Sequence, residues 1–364
     1  MHVLVVGGGI VGLCTAWALA RADHKVEVFD QSGLPNTLGA SHDEHRLIRH
    51  FYPDQPGYCR MVDDAFAAWE RLWTAIGRRH YAETGALAIS TRVDDWTDRA
   101  RRTLDMVGLP YERFDSKEVA RRWPFLLTRA AYAIRTRRGG VLFAERILTD
   151  LITLLANLQV QRHANSPVVG VDAARGTIHL KDGTSRSADA VVIAAGAWIT
   201  RLVPDYASRL TPVRNVLLYL EPPLRLIATW ATAPAIVELG AAGEIYAVPP
   251  VGGTNLKVGI GAHRRPADPE RDRSVASDEA AQLMSHLRGA IADLGTYHVK
   301  TMRSCFYAIT PDDRFIFEQR DKLWIISACS GHGFKFGALT GELVADAVTG
   351  AGDAEDIAQR LAGH

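Results

Sequence analysis

Apolar residues recur at two periods along this chain, and the alternation between them marks out its elements. His2–Val6 is a short, mostly apolar run that stops at three glycines and reads as a strand. Residues 13–21 carry a helical apolar face, and Lys25–Phe29 reads as a second strand ending at Asp30. Residues 62–76 have helical spacing through Phe66, Trp69, Leu72 and Trp73, with Asp63 and Asp64 giving the first turn its favourable negative charge. Asp115-Ser116-Lys117-Glu118 predicts a further helix start, an acidic cap with a glutamate three residues on, closed by Pro124. An amphipathic helix follows over 145–158 and a buried strand over 188–195. Residues 211 to 310 read as strands, broken by a helical stretch over 278–294. A strand over 322–328, a glycine segment and a helix over 339–348 complete the pattern.

A chain of 364 residues can bury a large core, and the pattern suggests two domains. Signals of a nucleotide-binding unit occur at the start, near 190 and at the end, with strand-rich material between them, so the domains are expected to interleave. The expected fold is α/β, a Rossmann-like nucleotide-binding domain (1–80, 141–210 and 311–364) interleaved with a mixed-sheet α+β substrate domain (81–140 and 211–310). A net charge of +1 gives no electrostatic case for nucleic acid or an anionic membrane, and the basic runs at 135–138 and 263–265 read as solvated loops. No segment approaches the roughly 18 consecutive apolar residues of a membrane span, and 3–12 lacks the charged leader of a signal peptide. A cytoplasmic protein is expected. The four cysteines (Cys14, Cys59, Cys305, Cys329) show no zinc spacing and no disulfide framework, and no metal is expected. Cys14 reads as a small core residue.

Gly7-x-Gly9-x-x-Gly12 follows a strand and opens a helix. Gly7 permits the tight turn, Gly9 lets a pyrophosphate approach the backbone, and Gly12 lets helix and strand pack closely. The helix N-terminus offers free N–H groups and partial positive charge, and Asp30 is placed for ribose hydroxyls. These features point to a dinucleotide without separating NAD from FAD. The C-terminal block Ser330-Gly331-His332-Gly333-Phe334-Lys335-Phe336 offers glycines for close approach to a ligand and then a lysine. A nucleotide clasped from both ends of a chain suggests a flavin, whose ring must reach past the pyrophosphate into a second region. Between the two blocks, residues 41–50 concentrate charge. If Arg46 to Arg49 is helical, both arginines share a face, where one could sit over a flavin and the other hold a carboxylate; a solvated helix face is the equal alternative.

Ser41-His42, Arg46-Leu47-Ile48-Arg49-His50, Cys305-Phe306-Tyr307, Thr310-Pro311-Asp312 and residues 330–336 together resemble the monomeric sarcosine oxidase, N-methyltryptophan oxidase and pipecolate oxidase subfamily of the D-amino-acid oxidase (glycine oxidase) superfamily. The likeness extends over nearly the whole chain, through Arg122-Trp123-Pro124, 140–143, Gly196-Ala197-Trp198 and 256–259. It implies FAD as cofactor, bound through a thioether from Cys305; from pattern alone Cys305 reads as a buried structural cysteine. It implies that Lys257 lies beside the flavin where oxygen is activated, that Arg49 and Lys335 bind a substrate carboxylate, and that Tyr246 and Tyr307 line the substrate site. A lone lysine on a strand, and tyrosines in strands, are otherwise more often surface and packing residues. Arg46 and His42 match groups near the flavin ring. Gly196, Trp198, Gly331, His332 and Gly333 match cofactor contacts, and Val168 matches a backbone contact on the adenine side.

Three departures fall near the expected active site. Gly261 stands where sarcosine-oxidising members have a histidine, with His263 two residues on; His45 replaces a small hydroxyl residue; Cys329 replaces a non-thiol residue. The expected activity is therefore an FAD-dependent oxidase of a secondary, N-methylated or cyclic amino acid, acting as a monomer on a small molecule and O2. A dehydrogenase or electron-transfer subunit with the same fold, and a nucleotide-binding module without turnover, are the other classes left open.

Overall fold

The computed structural model describes every residue except Thr128, Ala241, Ala242, Gly243 and Ala328. Its centre is a six-stranded sheet in the order Ile316–Arg320, Leu323–Ser327, Ala190–Ile193, His2–Val6, Lys25–Phe29, Gln161–His163. All neighbours are parallel except the first pair. Central parallel strands are covered on both faces, which is why His2–Val6, Ala190–Ile193 and Leu323–Ser327 are nearly continuous apolar runs. The sheet brings together residues from 2–29, 161–193 and 316–327.

A nine-stranded mixed sheet draws its strands from 86–136 and 211–309. A three-stranded sheet of Arg46–Ile48, Gly140–Leu142 and Tyr81–Ala82 lies between stretches that feed the two larger sheets, and Val168–Ser187 contributes a separate three-stranded antiparallel sheet.

The expected elements form, with differences at their ends. The helix expected over 13–21 is Ile10–Ala20, starting in the glycine turn itself. The one expected over 62–76 begins at Pro56, which suits the first helical position because its missing N–H would have no partner there, and ends at Gly77 in the left-handed conformation. Asp63 therefore lies in its second turn, facing His50 and Arg138. The Asp115–Glu118 capping box is present, and its helix ends at Arg122. Only Glu279–His286 of the stretch 278–294 is helical. The strand expected over 322–328 is Leu323–Ser327, and Ala328 lies outside the described residues. Arg46 to Arg49 is not helical: Arg46–Ile48 is a strand held antiparallel to Gly140–Leu142. Helices at Trp96–Val107, Leu224–Ala231 and Ala354–Leu361 were not anticipated, although Asp95 caps the first through the Asp98 N–H and Gly108 ends it. Among the described residues no helix is long and apolar enough to cross a membrane.

Helix Ile10–Ala20 packs against Gly337–Thr349 at very short range. Gly341 is where they touch: a Cβ there would lie 2.5 Å from the carbonyl carbon and Cβ of Cys14. Neither helix can yield without disturbing the sheet beneath, because interiors are close-packed. Gly341→Ala is expected to cost about 1–3 kcal/mol of stability, read from urea unfolding. An unchanged midpoint would show that the helices can separate freely.

Candidate functional site

One cavity of about 370 Å³ runs from the glycine turn to the inner face of the nine-stranded sheet. Its first end is built by the parallel strands of the central sheet, which all deliver their carboxyl ends to it: Gly7–Gly9 after the first strand, Asp30 after the second, Ala194–Trp198 after Ala190–Ile193, and Cys329–Lys335 after Leu323–Ser327. Ligands bind at this edge of open parallel sheets because helix N-termini and turning loops converge there.

The turn has no room for side chains. Gly7 has φ +115°, and a Cβ on it would collide with the Ala194 carbonyl; one on Gly12 would collide with the Gly7 carbonyl. Gly12 itself does not line the cavity and serves the packing behind it. The helix that follows has no side-chain cap at Gly9, although the Ile10 N–H donates to Ser41 Oγ at 2.9 Å. Asp30 is buried, and this raises its pKa. Its Oδ2 accepts the Gly8 N–H at 2.7 Å and its Oδ1 accepts Ser32 N–H and the Asn36 amide. It pins the turn and leaves Oδ2 capacity for one more donor.

The second end is one face of the nine-stranded sheet. Successive side chains on a strand point to opposite faces, and residues paired across an antiparallel ladder share a face. The pairs Tyr219–Lys257, Val248–Lys257, Tyr246–Gly259, Asn215–Cys305 and Val213–Tyr307 put Lys257, Tyr246, Cys305 and Tyr307 on the same side. All four line the cavity. The alternate residues Val216, Leu218, Leu256 and Val258 go to a hydrophobic core on the other side. Burial pushes the phenol pKa of Tyr246 up, and that of Tyr307 up to about 12, so both remain hydroxyls at neutral pH. Arg273, Arg303 and Lys257 are the cations that lie around Cys305.

Arg49 and Lys335 meet at the same cavity. The Arg49 guanidinium stacks over Tyr52 at 4.4 Å, and its Nη1 is buried without a partner. Lys335 is 4% exposed, and its Nζ donates to the Tyr52 hydroxyl at 2.9 Å and the His332 carbonyl at 2.6 Å. The Trp69 indole holds the Lys335 carbonyl at 2.7 Å. Burial, then the Arg49 charge, push the Lys335 pKa well down. Burial and Lys335 do the same to His332, whose Nδ1 meets the Tyr52 hydroxyl at 3.0 Å and whose Nε2 meets the Asp313 carbonyl at 2.9 Å. Among the described residues no carboxylate is within salt-bridge reach of either Arg49 or Lys335. Such a cation pair is an anion site.

Ser41, Arg46, Val168, Gly196, Trp198, Gly331, His332 and Gly333 also line the cavity. His42 does not: its Nδ1 faces Arg303 at 3.1 Å, and burial, then Arg303, lower its pKa. His263 turns away towards Glu279, at 3.3 Å. A Cβ on Gly261 would collide with the Glu244 carboxylate, so an acidic group fills the space a side chain would take. Sequence reasoning missed Asp43 and Tyr52. Asp43 is buried and contacts Lys257 and Arg46, and Tyr52 joins Arg49, Lys335 and His332. The only sequence signal for either was proximity to the charged 41–50 segment.

A two-carbon carboxylate such as acetate should bind at Arg49 and Lys335 and restore the lysine charge. Because the free Lys335 pKa is lowered and an anion raises it, binding should take up a proton and weaken as pH rises. Calorimetry in buffers of different ionisation heat measures the uptake. Binding that survives Lys335→Met with unchanged proton uptake would contradict it.

The family model for FAD-dependent oxidoreductases (DAO) matches residues 2–347. The monomeric sarcosine oxidase of Bacillus sp. (strain NS-129) is 27% identical over 98% of this chain and 94% of its own length. The N-methyl-L-tryptophan oxidase of Yersinia pestis (strain Pestoides F) is 25% identical over 94% of this chain and 93% of its own. Among solved structures, NikD, an unusual amino acid oxidase essential for nikkomycin biosynthesis, superposes with a TM-score of 0.83 at 23% identity, covering 99% of this chain and 96% of that one. The L-proline dehydrogenase from P. horikoshii has a TM-score of 0.82 at 19% identity over 97% and 94%. These two likenesses are of fold.

Proposed function

The chain belongs to the family of FAD-dependent oxidoreductases, and on that premise we propose that it is an oxidase of a secondary, N-methylated or cyclic amino acid. The reaction converts the C–N bond to an imine, which water hydrolyses, and reduces O2 to H2O2. The observation that carries this reading is the Arg49–Lys335 pair, two basic side chains with no carboxylate in reach among the described residues, on the cavity that Lys257 and Cys305 also line. The names of the sarcosine and N-methyl-L-tryptophan oxidases support the same substrate class.

The residues fit FAD: a turn that a Cβ at Gly7 would block, a helix start with no side-chain cap from Gly9, a buried acid with a free acceptor, and an elongated cavity reaching a thiol. Gly7, Gly9 and the helix N-terminus would hold the pyrophosphate, Asp30 the ribose and Val168 the adenine side. Ser41, Arg46, Gly196, Trp198, Gly331, His332 and Gly333 would surround the rest, and Cys305 would carry the covalent bond. FAD, when bound, supplies the two-electron acceptor. Arg49 and Lys335 clamp the substrate carboxylate in this reading, and clamping one end fixes which carbon faces the acceptor. Tyr246 and Tyr307 close the apolar sides and exclude water. Lys257 places positive charge where O2 gains electrons. We further propose that the two large sheets are the cores of the two interleaved domains, with the boundaries given above, and that the enzyme acts as a cytoplasmic monomer.

One observation favours a second reading. Lys257 is paired with Asp43, so it is not a bare cation, and electrons could pass to a partner protein instead of O2.

Anaerobic addition of N-methylated and cyclic amino acids should bleach the yellow holoenzyme, and air should restore the colour with one H2O2 per turnover. A flavin that bleaches and then ignores air would favour the partner reading; one that no amino acid bleaches would sink both. Acid precipitation should leave the colour in the pellet for the natural chain and in the supernatant for Cys305→Ala. Release from both would remove the covalent bond and keep the cofactor.

A further inference from the structure

The side chain of Asp43 is fully shielded from water. Its Oδ2 accepts a hydrogen bond from Lys257 Nζ at 3.0 Å and contacts the Arg46 guanidinium. Its Oδ1 accepts the Tyr219 hydroxyl and the Glu44 N–H, the latter at 2.7 Å. Tyr219 and Lys257 are directly opposite in the ladder, so one face of the sheet presents both to the same carboxylate. The backbone is fixed as well, because the Asp43 carbonyl accepts the Glu145 N–H at 2.9 Å. Lys257 also donates to the His45 carbonyl.

A carboxylate so enclosed is costly unless its charge is used. Its two cationic neighbours are unequal: a guanidinium does not give up its proton in a protein, whereas a buried ammonium readily does. Without Asp43, Lys257 would share a dry wall with Arg46 and have only a carbonyl to hold its charge. Burial and Arg46 lower the lysine pKa while Cys305 and Glu44 oppose them from further off, and the Asp43 carboxylate is the acid in contact with the ammonium.

We propose that Asp43 is a positioning residue, the buried counter-ion that keeps Lys257 protonated and aimed at the cavity. This rests on the oxidase reading only for its kinetic consequence. The charged and titratable groups facing Lys257 are Asp43, Glu44, His45 and Arg46 from residues 43–46, Arg303 and Cys305 from strand His298–Ile309, Tyr219 from strand Thr211–Glu221, and Tyr246 from strand Ile245–Val248. Of these, Asp43 alone is a carboxylate touching the ammonium.

The test uses the flavin-loaded enzyme, reduced by substrate and mixed with O2 over a range of pH. Raising pH through the Lys257 pKa removes the charge, so reoxidation should slow at high pH. In Asp43→Asn the slowing should begin about one to three pH units lower. Lys257→Met, already slow, should show no such step. A step at the same pH in Asp43→Asn overturns the proposal. Thermal unfolding of the holoenzyme gives a second readout that does not involve oxygen. The double variant Asp43→Asn/Lys257→Met should lose less stability than the two single losses added, and strict additivity overturns the proposal. If the natural enzyme's reduced flavin ignores O2, the oxidase reading fails while this cycle still judges the ion pair. Should Asp43→Asn not fold, recovery of folded protein in the double variant supports the proposal, and failure there too overturns it.

Discussion

Lys257 and Lys335 are both almost wholly withdrawn from water, and an ammonium ion loses its hydration there unless the protein replaces it. The two are treated differently. Lys257 has a carboxylate, Asp43, and a backbone carbonyl. Lys335 has only neutral oxygens, from Tyr52 and His332, and a guanidinium nearby. The first arrangement has a carboxylate in contact without any ligand. The second has none, and it is fixed in that state by the Trp69 indole and the packing of Tyr52. The cavity thus has one wall where charge is stored and another where it is owed to a ligand.

That contrast depends on sheet geometry. A strand can serve a site with one face and a core with the other, so Leu256 and Val258 anchor Lys257 while remaining out of its way. Gly259 sits opposite Tyr246, where a side chain would strike the ring. The tyrosine can therefore lie across the strand and form the cavity wall.

Much of this was legible in the sequence because the motifs are local. The glycine turn, its strand and Asp30 are adjacent in the chain, and close packing requires glycine there whatever the remainder does. The Asp115–Glu118 cap was legible for the same reason. What escaped was non-local. Arg46 to Arg49 has charge spacing suited to a helix, but pairing with Gly140–Leu142 imposes a strand. Both arginines still reach the cavity because Arg49 lies past the strand's end. His42 was placed near the cofactor by its neighbours in sequence, yet Arg303, far along the chain, draws it aside. Asp43 lay within a run of charges where nothing distinguishes a buried carboxylate from a solvated one; only the paired strands carrying Tyr219 and Lys257 do so.

The order of strands in the central sheet has a consequence for how the molecule is made. Strand His2–Val6 lies next to Ala190–Ile193, and that strand lies next to Leu323–Ser327. His2–Val6 finds one neighbour locally in Lys25–Phe29, but its other edge is covered only by Ala190–Ile193, whose own far edge is covered by Leu323–Ser327, and contacts between distant segments are slow to form. The glycine turn and the loop bearing His332 and Lys335 stand far apart in the chain, yet both line one cavity. A fragment that carried the full fingerprint but stopped before Ser330 would therefore lack one wall of the cavity.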